Sequence, residues 1–266
     1  PGLVIAEFTP ALCLAATGRV PAISFGIGFT VPCLAPDGTF PVLNPAGTAL
    51  LPTQALVESV SRVLGQLGLP VPANPLAALL GDAQFNVATD LVDPYRDVRA
   101  PGSPGPLWRL PAQEIPLPAS PFCLVYLPAE HPGIREIVAG LAGLRVPGIA
   151  FVRGADKTLR AELGRCGLEV SDRPFDIEEV LPRVSVVFHH GGAGLVERCL
   201  AWGRPQVVSP QVLEQELIGN ALLRLGVARA VLDPVAARQV GITIGEVAAS
   251  ATMQAAAARV AADLRA

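Results

Sequence analysis

The chain has 266 residues, 51% of them hydrophobic and 16% charged, with a formal net charge of −3. That length allows one large domain or two ordinary ones, with ample core material. Without a basic stripe or a polybasic cluster, neither nucleic acid nor an anionic membrane surface is expected as a partner. The long uncharged runs, 20–36 and 38–57, are broken by Pro and Gly, so no membrane-spanning helix is expected. The five cysteines, Cys13, Cys33, Cys123, Cys166 and Cys199, are widely spaced without a CxxC pair. They read as reduced thiols in a cytoplasmic protein. Abundant Ala, Gly, Pro, Val and Leu with little Lys fits a GC-rich bacterial source. The chain starts at Pro1 and its only methionine is Met253, so it is expected to be less than a full translation product.

In chain order, Leu3–Ala6 is a short apolar run that predicts a buried parallel strand. Thr9-Pro10 predicts a helix start, with Thr9 as cap, and the helix runs to about Thr17. A second strand is expected over Ala22–Phe25, leading into "GIGF" and a Pro/Gly-rich loop. A helix comes next over 53–67, a shorter one starts at Asn74-Pro75, and a third strand falls at Phe85–Ala88. Residues 99–121 hold seven prolines and no apolar periodicity, which predicts a linker. Beyond it strands are expected at 122–127, 148–152, 168–170, 184–188, 206–210 and 228–232. Helices are expected at 133–144, 156–166, from the glycines to Trp202, at 214–225, and as a final pair from Thr243, where Thr243-Ile-Gly-Glu246 has capping-box form. Alternating strands and helices predict a parallel sheet covered on both faces. Three strand candidates before the linker are too few for such a domain, so the N-terminal one is expected to be incomplete.

Two of the chain's three histidines fall in "VVFHHGGAGLVE", Val186–Glu197. A parallel sheet binds ligands at the carboxyl ends of its strands. Glycines there let the backbone come close to a ligand, and the N–H groups of the next helix attract anions. The stretch therefore reads as a diphosphate turn or as a plain strand-to-helix turn. It has neither the GxGxxG fingerprint nor a Walker loop. Metal binding is disfavoured, because adjacent strand residues point to opposite sides and no third ligand is near in sequence.

The residues beyond the turn are more specific. "HHGGAGLVERCLAWGRPQVVSPQVLEQELIGNALLRLGVA", His189–Ala228, resembles the donor-binding segment of family 1 (UDP-glycosyltransferase-like) glycosyltransferases of GT-B fold. The shared features are the His-Gly-Gly-Ala-Gly turn, Gly203-Arg204-Pro205, Pro210, Glu214-Gln215 and Leu225-Gly226. The resemblance implies an α/β chain of two Rossmann-like doubly wound domains. These are a partial acceptor-binding domain at 1–98, a linker at 99–121 and a donor-binding domain at 122–266. It implies an inverting transfer of a sugar from a UDP or dTDP sugar, the co-substrate, to a hydroxyl of a small hydrophobic acceptor. No metal and no resident cofactor are implied. The alternative is a truncated, non-catalytic sugar-nucleotide-binding or auxiliary protein of the same fold.

Carried over residue by residue, His190 with Gly192, Ala193 and Gly194 holds the diphosphate, while His189 supports the loop. Glu214 and Gln215 hold sugar hydroxyls. Pro174 and Phe175 lie at the nucleobase loop. Glu197 stands one position before the place of a ribose-binding acid, which Arg198 occupies. Gly28 and Phe29 lie at the acceptor. Glu7 is the candidate acid that orients the catalytic base. That base, a histidine, is expected to be absent, since no histidine precedes His131. Glu130 and His131 are expected at the surface.

Overall fold

The computed structural model describes residues 2–43, 47, 51–100 and 104–266. The chain divides into two compact units, Pro1–Trp108 and Arg109–Ala266. The division falls within the proline-rich stretch 99–121, of which residues 101–103 lie outside the described part.

Unit 1 has strands β1 (Val4–Ala6), β2 (Ala22–Gly26) and β3 (Ala83–Asn86), and helices α1 (Pro10–Ala16) and α2 (Thr53–Gln66). The strands form a parallel sheet in the order β1-β2-β3. β3 begins two residues before the expected Phe85, because Ala83 pairs with Ile23 and Asn86 with Gly26. Thr9 precedes α1, but its side chain makes no cap hydrogen bond. Its hydroxyl donates instead to the Glu7 carbonyl at 2.6 Å. The expected helix at Asn74-Pro75 is a 3-10 turn over Pro75–Leu79, with the Asn74 side chain accepting from the Leu76 N–H.

Unit 2 has strands β4 (Cys123–Pro128), β5 (Gly148–Arg153), β6 (Leu168–Ser171), β7 (Val186–His189), β8 (Gln206–Val208) and β9 (Ala228–Ala230). Its helices are α3 (Ile134–Leu141), α4 (Lys157–Arg165), α5 (Ile177–Val180), α6 (Ala193–Ala201), α7 (Leu213–Arg224), α8 (Pro234–Ala237), α9 (Val240–Ala249) and α10 (Ala251–Arg265). The six strands are all parallel, in the order β6-β5-β4-β7-β8-β9. Sequence alternation splits each central strand between two cores. Val125, Leu127, Val186 and Phe188 pack on one face with Ile137, Leu163 and Ile244. Leu124, Ile149 and Val187 pack on the other with Leu181 and Cys199. Burial on both faces is why these strands read as unbroken apolar runs.

Side-chain caps set several helix starts: Asp156 for α4, Asp176 for α5, Asp233 for α8 and Ser250 for α10. The expected start at Thr243 is corrected: α9 begins at Val240, and the Thr243 hydroxyl donates back to the Gln239 carbonyl. All five cysteines are free, four of them buried. Among the described residues no helix is long and apolar enough to cross a membrane.

The proline-rich stretch is not a loose tether at its ends. In unit 1, Arg99 is ion-paired to Asp93 and donates to the Val31 carbonyl at 2.7 Å. In unit 2, the carbonyls of Ile115 and Pro116 accept from the buried Arg204 guanidinium.

Candidate functional site

The strand order reverses direction between β4 and β7, which leaves a crevice at their carboxyl ends, where doubly wound sheets bind ligands. Tyr126, two residues before the end of β4, is in register with His189, the last residue of β7. The two glycines after the histidines carry the chain from β7 into α6. Gly191 needs its glycine: its φ is 96°, and a Cβ there would lie 3.2 Å from Cβ of Gln215. The turn therefore packs directly on the first turn of α7. Gly192 is the N-cap of α6 and offers no side-chain cap. The first N–H groups of the helix, at Ala193 and Gly194, are thus left to face a ligand.

The two histidines have separate jobs. His189 is fully buried. Its Nδ1 accepts from the Gly191 N–H at 2.9 Å. The ring proton is therefore on Nε2 and is donated to Gln206 Oε1 at 2.9 Å. Burial pushes its pKa down to about 3, so the ring is neutral and fixes the loop. His190 is half-buried, and its ring lies over Gly192, where a Cβ would come within 3.0 Å of Nε2. Its Nδ1 is buried without a partner at hydrogen-bond distance. Burial lowers its pKa first. The backbone of Tyr126 acts the other way, and the charges of Arg153 and His131 lower it further.

A cavity of about 320 Å3 opens here, lined by Tyr126, Ile177, His190, Gly192, Ala193, Gly194, Leu195 and Arg198. Arg198 sits one turn into α6 and donates to the Gly194 carbonyl at 3.0 Å. The cavity is the size of a small-ligand pocket and ends on unspent N–H groups beside a cationic side chain, a setting for an anion. Among the described residues no group of His, Cys, Asp and Glu is placed to hold a metal ion.

The structure brings His190, Gly192, Ala193 and Gly194 together at this cavity. Gln215 stands behind the turn, and its Oε1 accepts from the Gln211 N–H at 2.8 Å. Glu214 is half-buried in the first turn of α7. Glu197 does not reach the cavity: it is 4% exposed on the inner side of α6. Phe175 packs against the core cluster around Leu124 and Val180, while Pro174 is exposed.

His131 corrects the expected surface position, being 6% exposed. Its Nδ1 accepts from the Gly133 N–H at 3.0 Å, and its Nε2–H donates to the Ser209 carbonyl at 2.9 Å. It thereby ties the loop after β4 to the end of β8, across the strand that carries the turn. Glu130 is exposed as expected. Tyr126 and Ile177 are cavity residues that the sequence reading does not single out, and Arg198, noted there only as standing at the place of a ribose-binding acid, lines the cavity too. Its place near the carboxyl end of β4 marks Tyr126, and helical spacing from Gly194 marks Arg198.

In unit 1, Glu7 is exposed just after β1, and its Cγ would lie 3.3 Å from a Cβ on Gly26. Phe8 beside it has a φ of 45°, a strained value for a side-chain-bearing residue. Its ring stacks obliquely on Phe29 at 5.7 Å. Gly28 packs on the Asp93–Arg99 pair. It is buried, its carbonyl accepts from Arg99, and a Cβ would collide with Asp93.

No family model and no curated protein matches the chain. Solved structures do match it in fold. The glycotransferase of kitacinnamycin superposes with a TM-score of 0.67 at 20% identity, covering 100% of this chain and 72% of its own. CalG4, the calicheamicin glycosyltransferase, gives 0.70 at 19%, covering 99% of this chain and 69% of its own. The glycosyltransferase VinC, solved with dTDP, gives 0.66 at 18%, covering 100% and 68%. The chain thus has the parallel α/β architecture of GT-B glycosyltransferases and spans roughly the share of their length that these figures give.

Proposed function

We propose that unit 2 binds a nucleoside diphosphate sugar, UDP- or dTDP-linked, and that the protein serves in inverting transfer of that sugar to a hydroxyl of a small hydrophobic acceptor. One observation carries this reading: a glycine turn at the reversal of strand order opens α6 into a cavity lined by His190, Gly192, Ala193 and Gly194. In this reading the diphosphate lies on the N–H groups of Ala193 and Gly194, and His190 donates to a phosphate oxygen. As the bond from C1 to the diphosphate breaks, charge grows on the leaving oxygen. The helix N-terminus, His190 and Arg198 stabilise that charge without having to reorient. Glu214 and Gln215 accept from and donate to sugar hydroxyls. In unit 1, Glu7 and Phe29 face the acceptor side. A cytoplasmic location fits five free thiols.

A second reading is binding without transfer. It asks only for the donor site, whose lining lies wholly within unit 2.

Titration calorimetry with UDP and dTDP tests the donor site. The chain is expected to bind at least one of them, and His190→Ala to weaken that binding about ten- to a hundredfold, the cost of losing a hydrogen bond to a charged group. An anion on His190 raises its lowered pKa, so binding takes up a proton. Affinity therefore rises as pH falls through the pKa of the complex and levels off below that of the free site. Failure of both nucleotides to bind, or equal binding by the variant, refutes the assignment. Adding an acceptor mixture and detecting no transfer by mass spectrometry, despite tight binding, selects the second reading.

A further inference from the structure

A second cavity lies at the opposite edge of unit 2's sheet. It has a volume of about 400 Å3 and shares no lining residue with the glycine-turn site. Its walls are the stretch 114–117, the end of α6 and one side of α10. Gly203, with a φ of 65°, lets α10 approach: a Cβ there would lie 3.5 Å from Ala258 and Ala261. Most of the lining is apolar, from Leu117, Trp202, Ala255 and Ala258.

Of the polar lining residues, Glu114, Arg204, Gln254 and Arg265, Arg204 is the buried one, 1% exposed. Its Nε donates to the Leu181 carbonyl at 2.8 Å, Nη1 to Ile115 at 3.3 Å and Nη2 to Pro116 at 3.2 Å. A guanidinium has five N–H donors, so two remain. Among the described residues Arg204 has no carboxylate within ion-pair distance. Its role as a strut accounts for the three carbonyl bonds. It accounts neither for an uncompensated buried charge, which is costly, nor for a cavity beside it. Arg265, the second cation of the lining, donates to the Ala201 carbonyl at 3.4 Å. Burial pulls the Arg204 pKa down to about 10, in keeping with a missing counter-ion.

We propose that this cavity is a binding site for a small amphipathic monocarboxylate. The carboxylate takes the spare N–H groups of Arg204 with Arg265 beside it, and the apolar body lies against Trp202, Leu117 and the alanines of α10. Size and lining match those of small-molecule sites, mostly apolar with a few placed polar groups. The exposed Glu114 at the rim sets the charge. With Arg204, Arg265 and Glu114 the lining carries one net positive charge, which a monocarboxylate offsets and a dianionic phosphate exceeds.

The test uses the whole chain carrying Trp108→Phe, which leaves Trp202 as the only tryptophan. 2-Bromooctanoate should quench Trp202 saturably, and octanoate should compete. Octanol, the neutral analogue, should bind at least about tenfold more weakly, and octyl phosphate more weakly than octanoate. Arg204→Met risks the fold, so two other variants carry the decision. Arg265→Met should weaken octanoate several-fold. Ala258→Phe, at an exposed position of α10 that lines the cavity, should abolish quenching while leaving the melting temperature unchanged. Absence of saturable quenching overturns the proposal, as does equal binding of octanol or full binding by Ala258→Phe. Equal binding of octyl phosphate overturns the restriction to monocarboxylates.

Discussion

The two units use the same parallel wind but cover their sheets differently. In unit 2 both faces of β4 are closed: Val125 and Leu127 are 0% and 1% exposed on one side, Leu124 is 0% on the other. In unit 1 the alternation of β2 leaves Ala22, Ser24 and Gly26 buried but Ile23 and Phe25 only half so. Their neighbours on the same face, Ile5 and Phe85, are 64% and 42% exposed. Unit 1 is also held by buried polar ties around a carboxylate, where unit 2 uses the His189–Gln206 pair. The Ser24 hydroxyl donates to the Leu80 carbonyl, and buried Asp93 gathers Arg99, Asn86 and the Tyr95 N–H.

The sharpest break in that comparison is one aromatic truncation in each unit. Phe188 is 0% exposed on β7, so Phe188→Ala is expected to cost about 3–5 kcal/mol through lost burial and a cavity. Phe85→Ala, on the open face, should change stability by less than about 0.5 kcal/mol. Hydrogen exchange at the β7 and β3 amides reads each effect locally. A comparable loss in β3 would mean that the outer face of unit 1 is covered after all.

The next largest effect is in the pH dependence of unit 2. His189 titrates near 3 in the fold and near the ordinary 6.5 when unfolded. Its neutral form is thus the one the fold prefers. Its contribution is complete above about pH 6.5 and is lost toward pH 3, because the unfolded chain binds the proton first. The slope from this one group approaches about 1.4 kcal/mol per pH unit within that window. His189→Asn keeps an oxygen where Nδ1 accepts the Gly191 N–H but removes the titration. Denaturant unfolding between pH 6.5 and 5 should therefore fall less steeply in the variant. An unchanged slope would show that the imidazole is protonated in the fold.

Much of unit 2 is legible in the sequence because its strands are buried on both faces and read as continuous apolar runs. β3 starts two residues before its expected place for the opposite reason: Phe85 is exposed, so apolarity does not mark the strand. The capping-box pattern at Thr243 misleads because tertiary packing starts α9 earlier. Val240 is 0% exposed, and a Cβ on Gly241 would lie 2.6 Å from the Leu144 nitrogen. Within the candidate site, the glycine turn and the different surroundings of His189 and His190 are readable from local chemistry. The burial of His131 is not, since its partner, the Ser209 carbonyl, is 78 residues away. Nor is that of Arg204, whose acceptors are contributed by residues 115, 116 and 181.

The finest contrast between the units is the same substitution with opposite sign. Gly140 lies in α3, where an added Cβ would fall 2.1 Å from the Ala237 carbonyl oxygen. The glycine is what lets α8 and α9 close over α3, so Gly140→Ala should destabilise unit 2 by about 1–3 kcal/mol through overpacking. Gly65 lies in the last turn of α2 with nothing within 4 Å of its would-be Cβ. There alanine removes backbone freedom from the unfolded chain and meets no neighbour. Gly65→Ala should therefore stabilise unit 1 by about 0.5 kcal/mol, less than a mid-helix site because the last turn frays. Thermal unfolding of the two variants beside the parent chain measures both. A loss of stability at Gly65 would mean that the exposed side of α2 is packed against something, and would weaken the distinction between a closed and an open unit more directly than any change at Gly140.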